Sequence, residues 1–264
     1  MLMKTIWRAA VISSLLGLAP FAAPALAVDA APAQAVDEAP KPLVEQGALT
    51  LLRKMSDALT AAKIVQFSSV DFREVPTSQD QLITQITNLD VIAERPNRFH
   101  ATAVVNGADT IFVFDGETFT AFDKAKNLYV SAPIKAGQLE DFFKTLVEQG
   151  GIEFAIADFL SSDPYAVFTK DLVNAYEVGP TRIDGKNANH LVFSAPGLEW
   201  QIWLDTASNL PVAFAVTYRD APREPRFMVN FRNWNLNATP SPETFTFVPP
   251  KDAAAISFLP VGAP

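Results

Sequence analysis

The sequence contains no cysteine and only two histidines among its 264 residues. Without cysteine the chain can form no disulfide, can carry no lipid on a cleavage-site cysteine and has no thiolate nucleophile. His100 and His190 stand outside any His-x-x-x-His spacing, so neither indicates a zinc site. No G-x-S-x-G, P-loop or G-x-G-x-x-G motif is present. The sequence therefore predicts a protein that is not an enzyme and that uses no metal and no cofactor.

Basic residues are fewer than acidic ones, with 21 Lys and Arg against 29 Asp and Glu, which gives a net charge of −8. Removal of residues 1–27, which contain Lys4 and Arg8 and no acid, lowers the net charge to about −10. An acidic surface repels phosphate groups, so nucleic acid is excluded as a predicted partner. Solubility alone is a sufficient explanation for the charge.

Long apolar runs are also missing. The stretch 9–18 falls short of the roughly 20 residues that a membrane-spanning helix needs. It follows Lys4 and Arg8 and precedes Ala25-Leu26-Ala27, the order typical of a cleavable signal peptide. We therefore predict a signal peptide over residues 1–27, cleaved near Ala27, and a periplasmic protein. The alternative, an uncleaved membrane anchor, is disfavoured because a glycine and a proline interrupt the apolar region.

The remaining chain divides into two parts. Residues 28–42, built mainly from Ala, Pro, Val, Asp and Glu, predict a disordered tether. Residues 43–264 show no shift in composition and predict a single domain. Apolar residues spaced three and four apart predict covering helices at 43–62, 138–149 and 152–160.

Short β-branched and aromatic runs between turn residues predict antiparallel strands. Asn106-Gly107 and Asp115-Gly116 are two-residue hairpin signals. The predicted strands lie near 64–74, 82–93, 98–105, 109–115, 117–123, 127–131, 175–183, 187–194, 199–205, 211–219, 226–234 and 245–248. About 11 or 12 strands interrupted by a pair of helices, with one helix in front, indicate the α+β class.

Three motifs occur in a fixed order. They are Phe114-Asp115-Gly116-Glu117-Thr118 leading to Leu128-Tyr129, Trp200-Gln201-Ile202-Trp203-Leu204-Asp205 with Asn209-Leu210-Pro211, and Phe245-Thr246-Phe247-Val248-Pro249-Pro250. In these motifs the chain resembles the LolA/LolB lipoprotein carriers. More closely, it resembles the predicted periplasmic proteins of unknown function that are related to them, over about Leu43 to Ile256. The resemblance implies an incomplete, strongly curved antiparallel β-barrel whose concave apolar face is covered by helices.

In the carriers, acyl chains of lipoproteins occupy the space between sheet and helices. The resemblance thus implies a periplasmic binding or carrier protein for an apolar ligand, such as a lipid or the acyl chains of a lipoprotein. Helical spacing and strand alternation, not the family motifs, supply the candidate ligand-binding residues. On the helical cover these are Phe142, Phe143, Phe154 and Phe159, and on the sheet they are Phe112, Phe114, Trp203, Phe214 and Phe227. Two alternatives stay open: that these aromatic residues form an ordinary core, and that the scaffold is an interaction or sensor module binding another envelope protein.

Overall fold

The structure is a computed structural model and describes residues 41–105 and 107–258. The predicted signal peptide, nearly all of the predicted tether and Asn106 lie outside the described residues. The α-helices are α1 (Gln46–Ala61), α2 (Leu139–Gly150), α3 (Ala157–Leu160) and α4 (Pro164–Thr169). The strands are β1 (Ile64–Pro76), β2 (Leu82–Glu94), β3 (Arg98–Val105), β4 (Ala108–Phe114), β5 (Thr118–Asp123), β6 (Leu128–Pro133), β7 (Asn174–Ile183), β8 (Lys186–Ala195), β9 (Leu198–Asp205), β10 (Pro211–Tyr218), β11 (Arg226–Asn235) and β12 (Ala254–Ala255).

These twelve strands form one sheet in the order β12-β6-β5-β4-β3-β2-β1-β11-β10-β9-β8-β7. The first strand, β1, lies between β2 and β11 and so joins the two halves of the sheet. All neighbouring strands are antiparallel except β12, which pairs parallel to β6. The sheet ends at β12 and β7 and does not close. The predicted α+β fold, a curved and incomplete antiparallel barrel with helices, is confirmed.

One face of the sheet, the inner face, is covered by the helices and the segments that join them. Phe99 on β3, Phe114 on β4 and Phe214 on β10 belong to it and are almost fully buried. Adjacent residues of the covering segment reach strands that are not neighbours: Phe154 contacts β4 through Phe112, while Glu153 contacts β1. The curvature of the sheet brings these strands towards the same segment.

The predictions for the inserted helices are partly wrong. The helix expected at 152–160 is confined to α3, and residues 151–154 adopt no regular structure. Helix α4 is absent from the sequence prediction, because a proline after Asp163 is also typical of the end of a helix. Pro164 instead occupies the first position of α4, where its missing N–H costs nothing, and the Asp163 carboxylate caps the helix by accepting a 3.0 Å hydrogen bond from the Ala166 N–H.

The strand predicted at 245–248 is also wrong. Phe245 ends a 3-10 helix (Pro242–Phe245), and the residues after it pair with no strand until β12. Phe245 is nonetheless buried beneath the Arg98 guanidinium, and Phe247 packs between Phe122 and Tyr129. The aromatic alternation at 245 and 247 thus reflects packing on the sheet, without backbone pairing.

Candidate functional site

Beneath α2, aromatic rings from sheet and cover pack directly on one another. Phe114 stacks on Phe142 with ring centroids 4.1 Å apart and planes 1° from parallel. Phe99 contacts Phe143 and Phe154 edge to face, each at 5.1 Å. Because offset stacks and edge-to-face pairs at such distances are favourable, this cluster fixes α2 on strands β3 and β4.

A second aromatic cluster lies under α3 and α4. Phe159 of α3 contacts Phe214 at 5.4 Å and Phe168 of α4 at 4.9 Å. Phe168 in turn contacts Trp200, whose indole stacks on Phe193 at 3.9 Å. At both clusters the cover is therefore packed against the sheet by the protein's own side chains.

Between sheet and cover, a cleft of about 240 Å³ opens where residues 152–155 cross strands β1 to β4 and β11. We call it the inner cleft. Its apolar lining comes from Leu89, Phe112, Ile152, Phe154 and Phe227. Its polar lining includes Asp71, Arg73, Gln85, Thr87 and Glu153. Asp71 pairs with Thr87 and Arg73 with Gln85 across β1 and β2, so these polar residues lie nearer to the β1–β2 turn than Leu89 does.

Two carboxylates and one guanidinium face the inner cleft. The Arg73 Nη1 atom lies 3.2 Å from the Glu153 Oε2 atom and joins β1 to the covering segment. Asp71 accepts a 2.7 Å hydrogen bond from the Ser69 hydroxyl. Among the described residues, no lysine or arginine nitrogen lies within ion-pair distance of the Asp71 carboxylate.

Burial shifts the protonation of these groups. It raises the pKa of Asp71 to about 6, against the Ser69 hydrogen bond and the Arg73 charge, which both lower it. Burial likewise raises the pKa of Glu153, and Arg73 only partly offsets that effect. On neighbouring β10, burial and then the Glu153 charge raise the pKa of Tyr218. Charged groups in the inner cleft are therefore poorly solvated.

The covering segment beside the cleft is held at both ends. The Asn97 amide donates a 2.9 Å hydrogen bond to the Ala136 carbonyl, before α2. The Arg95 guanidinium donates a 2.9 Å hydrogen bond to the Leu160 carbonyl, at the end of α3. Residues 151–156 lie between these ties and make no helix or strand.

The structure separates the predicted site residues into three groups. Phe112, Phe154 and Phe227 line the inner cleft. The other residues on the inner side belong to the two ring clusters, and they are Phe114, Phe142, Phe143, Phe159 and Phe214.

Trp203 alone makes up the third group. It lies on the opposite face of β9, where it stacks on His190 at 4.4 Å, and Trp200 occupies the inner face. Strand alternation places Trp200 and Trp203 on opposite faces because three positions separate them.

The polar residues of the cleft are missing from the sequence prediction. A signal for them exists on β1, where one alternating face runs from Val65 and Phe67 to Asp71 and Arg73. An apolar face that turns polar before its strand ends is typical of a site at the edge of a core.

A larger recess of about 490 Å³ lies between α2 and the α3–α4 region. Half of its lining residues are charged, among them the exposed Asp141, Lys144 and Glu148, and none of its lining residues lies on the sheet. The inner cleft is therefore the better candidate for an apolar ligand.

Two features are absent from the described part of the chain. Residues 41–105 and 107–258 contain no helix long and apolar enough to cross a membrane. The same residues include no group of three or more His, Asp or Glu side chains arranged to hold a metal ion. His100 and His190 lie on β3 and β8, which are far apart in the sheet.

Fold and cleft together define a class of protein: an open, curved antiparallel sheet with a helical cover over its inner face. Within that class the chain belongs to the DUF2092 family of predicted periplasmic proteins, whose sequence profile matches residues 48–259. This confirms the family expected from the motifs. No curated protein matches the chain.

Several solved structures are similar to this one. Lipoprotein LppX of Mycobacterium tuberculosis has a TM-score of 0.46 at 13% identity, over 74% of this chain and 98% of LppX. LprF of Mycobacterium bovis has a TM-score of 0.43 at 14% identity, over 77% and 99% of the two chains. The Pseudomonas aeruginosa MucA/MucB complex contains a chain with a TM-score of 0.41 at 16% identity, over 76% of this chain and 61% of that one. Nothing about this chain's ligand follows from likenesses of this strength.

Proposed function

We propose that this protein is a non-enzymatic periplasmic binding or carrier protein that holds an apolar ligand, such as an acyl chain, between the curved sheet and its cover. The observation that carries the proposal is the inner cleft, with Phe112, Phe154 and Phe227 in its lining. Each 100 Å² of apolar ligand surface buried there contributes about 2.5 kcal/mol before the costs of association. Binding thus needs no catalytic or metal-ligating group.

The cleft is small, so a longer ligand would need the cover to move. At about 240 Å³ it is smaller than the 300 Å³ or so at the low end of ordinary ligand pockets. Residues 151–156 begin at Gly151, whose φ of +61° ends α2 in a left-handed conformation, and they carry Phe154 over the cleft. Outward displacement of this segment would join the cleft to the rings beneath α2 and give room for a longer chain.

A second candidate function is an interaction or sensor module that binds another envelope protein. The direct packing of Phe114 on Phe142, and of Phe159 on Phe214, favours it, because a filled interior needs no ligand. The two candidates differ in one property, which is whether an apolar small molecule binds at the inner face.

The test is titration of the purified protein with the neutral apolar fluorophore N-phenyl-1-naphthylamine. Thr87 lies on the inner face of β2 and lines the cleft, whereas Thr84 is exposed on the other face of the same strand. We expect saturable fluorescence enhancement for the native chain, at least tenfold weaker binding for Thr87→Trp, and unchanged binding for Thr84→Trp. Equal binding by the two variants would show that the fluorophore binds outside the inner cleft. If the native chain does not bind the fluorophore, the result favours the interaction module.

A further inference from the structure

The inner cleft has more carboxylates than cationic groups. Asp71 and Glu153 supply two carboxylates and Arg73 one guanidinium, while Gln85 and Thr87 add neutral polar groups. Arg73 is already engaged by Glu153 at 3.2 Å. The carboxylate of Asp71 is left with the Ser69 hydroxyl as its hydrogen-bond donor.

A second polar group beside the cleft is also unsatisfied. The side chain of Tyr218 is 7% exposed, and its hydroxyl makes no hydrogen bond to any described residue. It lies close enough to Glu153 and Arg73 for both of their charges to act on it. Buried polar groups without partners are costly, so a site that retains one points to a function for it.

Together with the apolar lining, these polar groups favour one kind of charged group on the ligand over another. A ligand carboxylate or phosphate would meet two protein carboxylates and a guanidinium already in use. A protonated amine would meet the Asp71 carboxylate, which has no cationic partner at ion-pair distance among the described residues. In a poorly solvated cleft, an opposite charge at short range contributes more than it would in water.

We infer that the inner cleft binds an apolar ligand that carries a protonated amine, with the ammonium group on Asp71 and the apolar part against Phe112, Phe154 and Phe227. The inference rests on the proposed function and names the ligand class for the same site. A cleft of about 240 Å³ suits a small aromatic or short alkyl amine in the conformation described.

Binding of such a ligand should depend on pH. The charged and titratable groups around Asp71 are Arg73 on its own strand, Glu153 on the covering segment and Tyr218 on β10, whereas β2 and β11 present Thr87, Gln85, Val229 and Phe227. Since burial raises the pKa of Asp71 to about 6, protonation removes the counter-ion at pH 5. The amine should then lose its advantage over a neutral ligand of the same shape.

The test is calorimetric titration of the purified full protein at pH 8 with 4-phenylbutylamine, 4-phenylbutanol and 4-phenylbutyrate, which share one apolar part. We expect the amine to bind at least tenfold more tightly than the alcohol, and the carboxylate most weakly. In Asp71→Asn, the amine should bind no more tightly than the alcohol does in the same variant. Asp90→Asn, on the exposed opposite face of β2, should leave the preference intact.

The outcomes separate the two proposals. Equal binding of the three compounds, tighter binding of the carboxylate, or an amine preference that survives Asp71→Asn would overturn the amine inference. Binding of N-phenyl-1-naphthylamine would still support an apolar ligand site in each of those cases. If none of the three compounds binds at millimolar concentration, the amine inference also fails, and the fluorophore alone decides the proposed function.

Discussion

At the scale of single residues, Asp71 is the least expected feature of the sheet. It shares the inner face of β1 with Val65 and Phe67. The residue is half-buried, and its carboxylate has the Ser69 hydroxyl as a hydrogen-bond donor and no cation at ion-pair distance among the described residues. A carboxylate in such a place destabilises the folded state when it is ionised. Its presence is explained by a ligand more readily than by stability.

Asp71 should make stability depend on pH in a defined direction. Its pKa is raised from 3.8 to about 6 on folding, so the folded protein binds the extra proton between these values, and stability falls as pH rises through that window. The shift corresponds to a loss of about 3 kcal/mol, complete above pH 6. We expect Asp71→Asn to raise the free energy of unfolding in urea by roughly 1 to 3 kcal/mol at pH 7.5, and to have little effect at pH 4.

Glu153 contributes in the same direction, since burial also raises its pKa. The pH dependence should therefore become shallower in Asp71→Asn without disappearing. Equal stability of the two proteins at pH 7.5 would show that the Asp71 carboxylate is well solvated, which contradicts its burial in the cleft.

Trp200 and Trp203 show what single-residue prediction could and could not do. The sequence marks β9 as a strand with two tryptophans, but alternation only states that they face opposite ways. Which one faces the cover depends on the register with β8 and β10, where Trp200 opposes Phe193 and Val216. That register is set by contacts far apart in sequence.

At the scale of elements, hairpins were predictable and the helical cover was less so. Asp184 and Gly185 have φ angles of +48° and +78°, the geometry of a two-residue hairpin turn. Such turns can be predicted from a few adjacent residues. Residues 152–156 have an apolar spacing compatible with a helix, yet their backbone forms none, and residues 152–155 line the inner cleft. Tertiary packing overrides the periodicity there.

Ligand binding should stiffen this covering segment. If Phe154 closes over the occupant of the inner cleft, backbone amides of residues 151–156 should exchange hydrogen at least several-fold more slowly when N-phenyl-1-naphthylamine is bound. Amides of the β7–β8 hairpin, which contributes no lining residue, serve as the internal control. Unchanged exchange at 151–156 together with saturable binding would place the ligand away from this segment.

At the scale of the whole molecule, the pairing of β1 with β11 could not be predicted from local sequence patterns. It brings Asp71 opposite Val229 and Arg73 opposite Phe227, more than 150 residues apart in the chain, and so builds the inner cleft. The order of β1 to β11, with α1 before them and α2 and α3 between β6 and β7, was by contrast predictable from periodicity and turn residues, whereas α4 and β12 were not.

The predicted export of the chain bears on how the whole molecule can be studied. Family membership indicates a periplasmic protein, and cleavage near Ala27 stays a prediction from the sequence. Protein recovered from the periplasm of a bacterial host, without detergent, has been exposed to the ligands available in that compartment. Its bound contents are therefore informative.

Native mass spectrometry of that protein tests most directly whether the inner cleft holds an apolar ligand. We expect a complex of the chain with one apolar small molecule, which is released on denaturation and identified in the organic extract. Thr87→Trp should be recovered largely free of the ligand and Thr84→Trp should retain it. A protein recovered at its ligand-free mass, with a second envelope protein in fixed ratio, would contradict ligand carriage and support the interaction module.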